Sequence, residues 1–161
     1  MAKPNWLEEL VESYFRLDGY ITQLHVRFPE MDRELDLLAF NDKKFVIIEV
    51  ENNVYDNRKY YEKIVGKFEV FRKITDTPKY RHVAKGKKRR LLFVGGMGSD
   101  EGYNHLAQLL KKKGIELMDK EDLYKGLLKK IESLRKWPYP ADDPSRILYD
   151  LKLYKLLRTA S

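Results

Sequence analysis

The stretch ELDLLAFNDKKFVIIEVE, residues 34–51, contains two runs of residues that favour β-strands. The runs, residues 34–40 and 45–51, are rich in apolar and β-branched side chains, and the segment between them, residues 41–44, is rich in turn-forming residues. This pattern predicts an antiparallel β-hairpin.

The predicted hairpin brings four acidic side chains together. If the turn is centred on residues 42 and 43, Asp36 faces Glu49 and Glu34 faces Glu51. Because side chains alternate between the two faces of a strand, all four carboxylates are expected on one face. Like charges directly opposite each other lie about 5 Å apart and destabilise a sheet. The hairpin has no Lys or Arg on that face, so a divalent cation would relieve the repulsion.

The alternative is a solvated strand face that is merely acidic. Against this alternative, the acidic face becomes apolar toward the turn, and the opposite face is apolar throughout. Such a sheet is expected to be covered on both sides. Oxygen ligands in a chain without Cys and without paired His favour magnesium, with manganese as a second possibility, over zinc.

Composition predicts a globular protein. The chain has 161 residues, of which 43% are hydrophobic and 35% are charged, and this balance is typical of a folded domain with a proper core. The absence of Cys excludes disulfides and zinc–thiolate sites. Because no run of eighteen apolar residues occurs, we expect a soluble, cytoplasmic protein without membrane contact.

The net charge of +7 is unevenly distributed. Residues 79–90 read KYRHVAKGKKRR, with seven Lys or Arg and no acid. A basic rim beside an acidic pocket is what a phosphodiester and its metal would together require, so Lys85, Lys87 and Lys88 are candidate nucleic-acid contacts. The alternative interpretation of this run is a solubilising loop.

The spacing of apolar residues predicts helices that alternate with strands. We therefore predict an α/β fold with a mixed β-sheet, in which the acidic hairpin is central and helices flank it. Residues 95–98, GGMG, are interpreted as a turn. The predicted helices are residues 4–17, 56–74, 100–113 and 120–134, and the predicted strands are residues 20–27, 34–40, 45–51, 90–94 and 115–118.

Two units are predicted along the chain. Residues 1–134 form the main domain, and residues 135–161 form a C-terminal extension with a Pro-containing bridge and a last helix from about residue 143 to 158. That helix has an apolar side, which could pack on the domain or on a second subunit, so a homodimer is possible.

Several short motifs follow one another between Trp6 and Leu128. They are Leu7-Glu8 ahead of Gly19-Tyr20, then ELDLLA at 34–39, IEVE at 48–51, and GIELMD at 114–119 followed by Leu123. In order and spacing they resemble the PD-(D/E)XK nuclease fold, nearest to Mrr-like restriction endonucleases and archaeal Holliday-junction resolvases. The resemblance implies a restriction-endonuclease-like sheet, phosphodiester hydrolysis and a metal held by the acidic cluster.

The resemblance also implies roles for individual residues. Asp36 matches the aspartate of the motif, Glu49 its acidic ligand, and Glu8 the glutamate of the first helix, so these three are the candidate metal ligands. Helical geometry supports Glu8, because it lies about 20° from Phe15 on the edge of the buried stripe. The alternative is an ordinary first-turn glutamate that favours the helix dipole.

The sequence departs from the motif at Glu51, where the resemblance predicts Lys. The missing lysine would orient the attacking water and stabilise negative charge, so its loss puts catalysis in question. Glu51 could instead hold a second metal or act as a general base. Lys59 and Lys63, in the next predicted helix, could supply a cation from a new position, or could be solvated lysines.

The sequence thus favours a magnesium-dependent DNA endonuclease with Asp36, Glu49, Glu51 and Glu8 in its active site. The three histidines stand alone, so neither metal binding nor base catalysis is expected of them. One alternative is a catalytically inactive nuclease-fold module that binds nucleic acid or a protein partner. Another is a structural subunit whose acidic hairpin binds a stabilising ion.

Overall fold

The computed structural model describes residues 5–28, 33–97 and 100–135. These residues form five α-helices and one five-stranded sheet. The predicted C-terminal bridge and last helix lie outside the described residues. The elements are α1 (Trp6–Leu17), β1 (Ile21–Phe28), β2 (Arg33–Phe40), β3 (Lys44–Val54), α2 (Arg58–Phe71), a 3₁₀ turn (Arg72–Asp76), α3 (Pro78–Ala84), β4 (Lys88–Met97), α4 (Asp100–Lys112), β5 (Ile115–Met118) and α5 (Lys120–Arg135).

The sheet is mixed, and its strands follow one another in chain order. Strands β1, β2 and β3 form an antiparallel meander, whereas β4 pairs parallel with β3, and β5 pairs parallel with β4. The parallel pairs need crossovers, which α2, α3 and α4 supply. The predicted α/β class with a mixed sheet is therefore confirmed. Among the described residues, no helix is both long and apolar enough to cross a membrane.

Both faces of the sheet are covered, as the apolar strands predict. One face of the sheet packs against α1 and α5, and we call the apolar cluster between them the α1-side core. The other face packs against α2 and α4, and we call that cluster the α2-side core. Strand β3 contributes to both, since Val46, Ile48 and Val50 belong to the α1-side core, while Phe45 and Ile47 belong to the α2-side core. All five are buried. This double burial leaves β3 little tolerance for charge.

The predicted register of the hairpin is confirmed where β2 and β3 pair. The paired residues run from Phe40 with Phe45 to Leu37 with Ile48. The turn is stabilised by Asn41, whose Oδ1 accepts hydrogen bonds from the backbone N–H groups of residues 43 and 44, at 2.9 and 2.7 Å. Side-chain capping of a turn in this way is what the sequence signal indicated.

Two expectations for the region between residues 78 and 97 are wrong. The basic run contains a helix, α3, which begins with Pro78 at a position where proline is pre-organised for helix formation. Gly95 and Gly96 do not form a turn but continue strand β4. A Cβ atom at Gly95 would lie 2.8 Å from the side chain of Val54 and 2.9 Å from that of Phe93. Gly95 is thus needed for packing within the sheet.

Strand β1 contains a backbone distortion at His25, which has a φ of 51°. In a regular strand residues 24 and 26 share a face, but here Leu24 packs with the α1-side core and Val26 with the α2-side core. The neighbouring strand changes in the same way, because Leu35 packs with the α2-side core and Leu37 with the α1-side core. The expectation of one continuous apolar face opposite the carboxylates is therefore wrong for β2, because Leu35 and Leu37 pack in different cores.

The distortion at His25 predicts that glycine is more stable than alanine at this position, which is the reverse of the order expected in a regular strand. A left-handed backbone costs a residue with a Cβ atom about 1–2 kcal/mol, a cost that glycine avoids. We expect His25→Gly to be more stable than His25→Ala by about 1 kcal/mol in denaturant unfolding. At Thr22, a regular position of the same strand, the alanine variant should be the more stable of the two. A more stable alanine variant at both positions would contradict the left-handed conformation.

Candidate active site

Asp36 and Glu49 lie where strands β2 and β3 separate. Among the described residues, the pairing of these strands ends at Leu37 and Ile48, one residue before the two acids. The acidic side chains bridge the two strands beyond this point. The N–H of Val50 donates to Asp36 Oδ2 at 2.8 Å, and the N–H of Asp36 makes a longer contact, 3.4 Å, to Glu49 Oε1. The two carboxylates are therefore held close together, as the register predicted.

Both carboxyl groups resist ionisation in this environment. Glu49 is only 3% exposed, and burial, followed by the charge of Asp36, raises the pKa of Glu49 to about 7. Burial is also the main cause that raises the pKa of Asp36, although the hydrogen bond from Val50 opposes it. Two adjacent carboxylates that are both costly to ionise are suited to bind a cation.

Lys67 of helix α2 contacts this pair. Its Nζ lies 3.0 Å from Glu49 Oε2. Burial would lower the pKa of Lys67, but the acids around it, first Glu49, then Asp36 and Glu51, raise the pKa overall. The hairpin itself has no basic residue on its acidic face, but the expectation that no basic side chain relieves the repulsion is wrong, because helix α2 supplies Lys67.

Lys67 was not predicted, whereas Lys59 and Lys63 on the same helix were. Both predicted lysines are exposed, and Lys63 lies one turn from Lys67. A sequence signal for Lys67 does exist. Four residues separate it from the buried Phe71, which places the two side chains about 40° apart on the helix, whereas Lys63 and Phe71 are about 80° apart. Of the three lysines, Lys67 is nearest the sheet.

Glu51 lies beside the carboxylate pair and is half-buried. Its charge contributes to the raised pKa of Asp36. It also lies next to Tyr60, because burial, the charge of Glu51 and a hydrogen bond to Glu51 together raise the pKa of the tyrosine. Glu51 thus connects the acidic pair with an aromatic side chain at the start of α2.

Glu34 does not face Glu51, contrary to expectation. Instead, Glu34 Oε2 accepts a 2.8 Å hydrogen bond from Arg27 Nε, and Glu34 Oε1 lies 2.6 Å from His25 Nδ1. These contacts, that of Arg27 foremost, lower the pKa of Glu34. The reason is topological, because β2 continues alongside β1 after it leaves β3 at Leu37. Arg27, which the hairpin alone could not reveal, neutralises this acid.

Glu8 reaches the neighbourhood of Asp36 but is engaged by its own helix. It completes a capping box with Asn5, whose backbone N–H and side-chain amide donate to the two carboxylate oxygens of Glu8 at 3.1 and 2.9 Å. Burial, opposed by this cap, raises the pKa of Glu8, and the charge of Asp36 adds to the effect. Glu8 is therefore a first-turn glutamate, as the alternative interpretation had it, and it also lies close enough to Asp36 for their charges to interact.

The expectation that His25 stands alone is wrong. Its Nδ1 contacts Glu34, and its Nε2 lies 3.2 Å from Glu8 Oε2 without hydrogen-bond alignment. The paired residues on either side place His25 opposite Asp36 in the β1–β2 register. This position depends on the pairing of β1 with β2, for which the sequence predicts no register. His25 therefore links α1 to the strand that carries Asp36.

The donor atoms at this site fit magnesium or manganese better than zinc. Magnesium in proteins is usually bound by one or two carboxylates, with water and substrate phosphates completing its coordination. Asp36 and Glu49 supply two such carboxylates. In the part of the chain that the structure describes, no group of three or more His, Asp or Glu side chains is arranged to hold a metal ion. Glu8 as a third ligand would have to release Asn5.

The basic run is not brought to the acidic pair. Lys88 pairs with Lys44 at the first residues of β4 and β3, whereas Glu49 is five residues further along β3. Five residues of a strand span about 16 Å, so Lys88 and the segment before it lie toward the other end of the sheet. Lys85 is exposed, and the Nζ of Lys87 lies 5.2 Å from the centre of the Phe40 ring.

A cleft of about 510 Å³ opens beside the acidic pair, between β2 and α2. Lys67 belongs to both the cleft and the ion pair with Glu49. The other charged side chains of the cleft are Arg33, Glu34 and Lys63, of which Glu34 is neutralised by Arg27. The cleft is therefore cationic, and its residues include Arg33, Glu34, Lys63, Gly66, Lys67 and Val70.

Comparisons with known proteins give no functional assignment. No protein-family model and no curated protein matches the chain. One solved structure with some similarity is the crystal structure of a protein of unknown function, AF1548, at 14% identity and a TM-score of 0.48. The alignment covers 96% of this chain and 98% of that chain. The functional argument consequently rests on the geometry of the site.

The raised pKa of Glu49 predicts how stability depends on pH and on metal. Between pH 4.5 and about 7 the folded protein keeps a proton on Glu49 that the unfolded chain has lost. The free energy of unfolding should therefore fall by about 3 kcal/mol as the pH rises through this range. Glu49→Gln, which resembles the protonated acid, should abolish this loss and be the more stable protein at pH 8 in EDTA.

Magnesium should reverse this order of stability, so that the unmodified protein becomes more stable than Glu49→Gln. At pH 8 a cation bound to the ionised pair should raise its melting temperature, whereas Glu49→Gln should respond weakly. Glu62→Gln, an exposed acid paired with Arg58, serves as the matched control and should behave like the unmodified protein. Equal magnesium responses in all three proteins would contradict a metal site at Glu49.

Proposed function

We propose that this protein is a metal-dependent DNA endonuclease with a restriction-endonuclease-like fold. The observation that carries the proposal is the pair formed by Asp36 and the buried Glu49, with Lys67 at 3.0 Å from Glu49, located where two strands of the sheet separate. Two carboxylates and a lysine are the groups that metal-assisted hydrolysis of a phosphodiester uses. The mixed sheet and the order of the motifs support the same proposal.

The bound ion would lower the pKa of a water molecule and neutralise charge on the phosphate. Asp36 and Glu49 would hold that ion. Lys67 can then turn from Glu49 toward the phosphate, where its ammonium group stabilises the negative charge that develops in the transition state. In this account Lys67 replaces the motif lysine that is missing at position 51.

Glu51 and Glu8 would have supporting roles. Glu51, whose charge interacts with both Asp36 and Lys67, would accept a proton from the attacking water or take part in a second metal site. Glu8 is a candidate third ligand, and its Oε2 lies 3.2 Å from Nε2 of His25 on β1. The proposal that Asp36 and Glu49 bind the metal depends on neither of these roles.

DNA would contact two surfaces. Lys63 and Lys59 continue the line of Lys67 along helix α2 at intervals of four residues, so their ammonium groups can follow a phosphate backbone. The segment with Lys85, Lys87 and Lys88 would be an outlying contact, because it lies toward the other end of the sheet. Phosphate contacts of this kind provide affinity without sequence preference.

The second candidate function is a nuclease-fold module that binds nucleic acid without cutting it. The ion pair between Lys67 and Glu49 favours it, because a structural role for the pair would require neither metal nor substrate. Binding and cleavage assays therefore have to be made on the same variants.

Cleavage of plasmid, branched and single-stranded DNA in magnesium, manganese or EDTA tests the enzyme. We expect metal-dependent cleavage that Asp36→Asn and Glu49→Gln abolish, while DNA binding stays intact or tightens as negative charge is removed. Lys67→Met should lower the cleavage rate by about 100- to 1,000-fold, the usual effect of losing a group that stabilises charge in a transition state.

Lys63→Met is the matched control for Lys67→Met, because it removes an exposed lysine one turn away on the same helix. It should weaken DNA binding slightly and leave the cleavage rate at saturating DNA unchanged. If the unmodified protein binds these DNAs and cuts none of them with either metal, the enzyme is excluded and the binding module replaces it.

A further inference from the structure

The cleft beside the acidic pair contains a glycine that packing does not explain. Gly66 lies in the interior of helix α2, where glycine is about 1 kcal/mol less favourable than alanine. A Cβ atom at Gly66 would have no described atom within 4 Å. Neither a neighbouring element nor an unusual backbone angle therefore requires glycine at this position.

Gly66 belongs to the helix face that lines the cleft. Residues 63, 66, 67 and 70 have the spacing of one helix face, and all four line the cleft. The small residue leaves open space between the two lysines and the start of β2. Glycine is often found where a ligand approaches a helix closely, and the charge of Lys63, Lys67 and Arg33 favours an anionic ligand.

A pair of tyrosines, of which Tyr55 is exposed, lies next to the acidic residues through Glu51. Tyr55 is 66% exposed, and its ring packs edge to face with that of Tyr60 at 5.6 Å between centres. Tyr60 in turn lies beside Glu51, which also interacts with Asp36 and Lys67. The acidic site is thus flanked by a cationic cleft and by an exposed aromatic ring.

We propose that the cleft and Tyr55 bind an unpaired DNA strand, so that the substrate of this site contains single-stranded DNA at the scissile bond. This inference rests on the proposed function for the identity of its ligand. The strand would run from the cleft, where the cations contact its phosphates and Gly66 leaves room for its backbone, past the acidic pair to Tyr55.

The aromatic ring distinguishes this ligand from duplex DNA. Bases inside a duplex stack on one another and offer no free face, whereas an unpaired base can stack on a tyrosine. A positive groove combined with an exposed aromatic ring is the usual arrangement for binding single strands without sequence preference. Tyr55 is preorganised for this role, because Tyr60 supports its ring from one side.

Two substitutions test the inference in EDTA, where cleavage does not interfere. Gly66→Leu fills the cleft with a good helix-forming residue, and Tyr55→Ala removes the stacking ring. Each should weaken binding of a single-stranded oligonucleotide of about 20 nucleotides by tenfold or more, and change binding of the matching duplex less than twofold. Fluorescence anisotropy with both DNAs measures these affinities.

Matched controls separate the inference from a folding defect. Gly66→Ala should raise the melting temperature by about 2–4 °C and keep most of the single-strand affinity. Tyr55→Phe keeps the ring and should bind like the unmodified protein. Ile21→Ala removes another exposed apolar side chain, at a position paired with Phe40 near the hairpin turn, and should have no effect.

The two proposals fail in different ways. Single-strand binding that depends on Gly66 and Tyr55, in a protein that cuts no DNA with metal, would support the strand-binding site, and would exclude both the endonuclease and the assignment of a scissile bond to this strand. Metal-dependent cleavage with single-strand affinity unaffected by both substitutions, or with single-strand and duplex affinity lowered equally, would overturn this inference alone. Tighter binding of an RNA of the same sequence would overturn the assignment to DNA.

Discussion

The rest of the site depends on two like-charged groups, the buried Glu49 and the half-buried Asp36, that lie together at the point where β2 leaves β3. Glu49 is almost inaccessible, Asp36 is next to it, and burial together with their mutual repulsion disfavours the ionised forms of both. A sheet whose strands are apolar on both faces would be more stable with apolar residues at these two positions. Their presence is explained if a cation and an anionic substrate occupy the site during function.

Separation of the strands positions the groups around this pair. Because β2 departs from β3 after Leu37, the carboxylate of Asp36 accepts the hydrogen bond of Val50 across the gap. The left-handed residue His25 lies opposite Asp36, and the neighbouring side chains of Val26 and Leu35 pack in the α2-side core. Helix α2 covers the opening, so Lys67 and the cleft adjoin the carboxylates. The lysine that contacts the proposed metal ligands thus belongs to the helix that also lines the cleft where a DNA strand would bind.

The local parts of the structure could be predicted from sequence, and the parts that depend on tertiary packing could not. The register of Asp36 and Glu49 followed from turn residues and a side-chain period of two, both of which act over few residues. Arg27, His25 and Lys67 reach the site from β1 and α2, so their contacts depend on how these elements pack. Gly95 was misinterpreted for the same reason. Glycine is required there because the side chains of Val54 and Phe93 leave no room for a Cβ atom, and not because the chain turns.

The most direct test of the account is the position of manganese in a crystal of the unmodified protein, located by anomalous diffraction at pH 8. The account predicts a peak about 2.1 Å from one oxygen of Asp36 and one oxygen of Glu49. It also predicts that the Nζ of Lys67 has moved away from Glu49 Oε2. A fully occupied peak elsewhere, or no peak between Asp36 and Glu49 while the ion pair with Lys67 persists, would contradict the account.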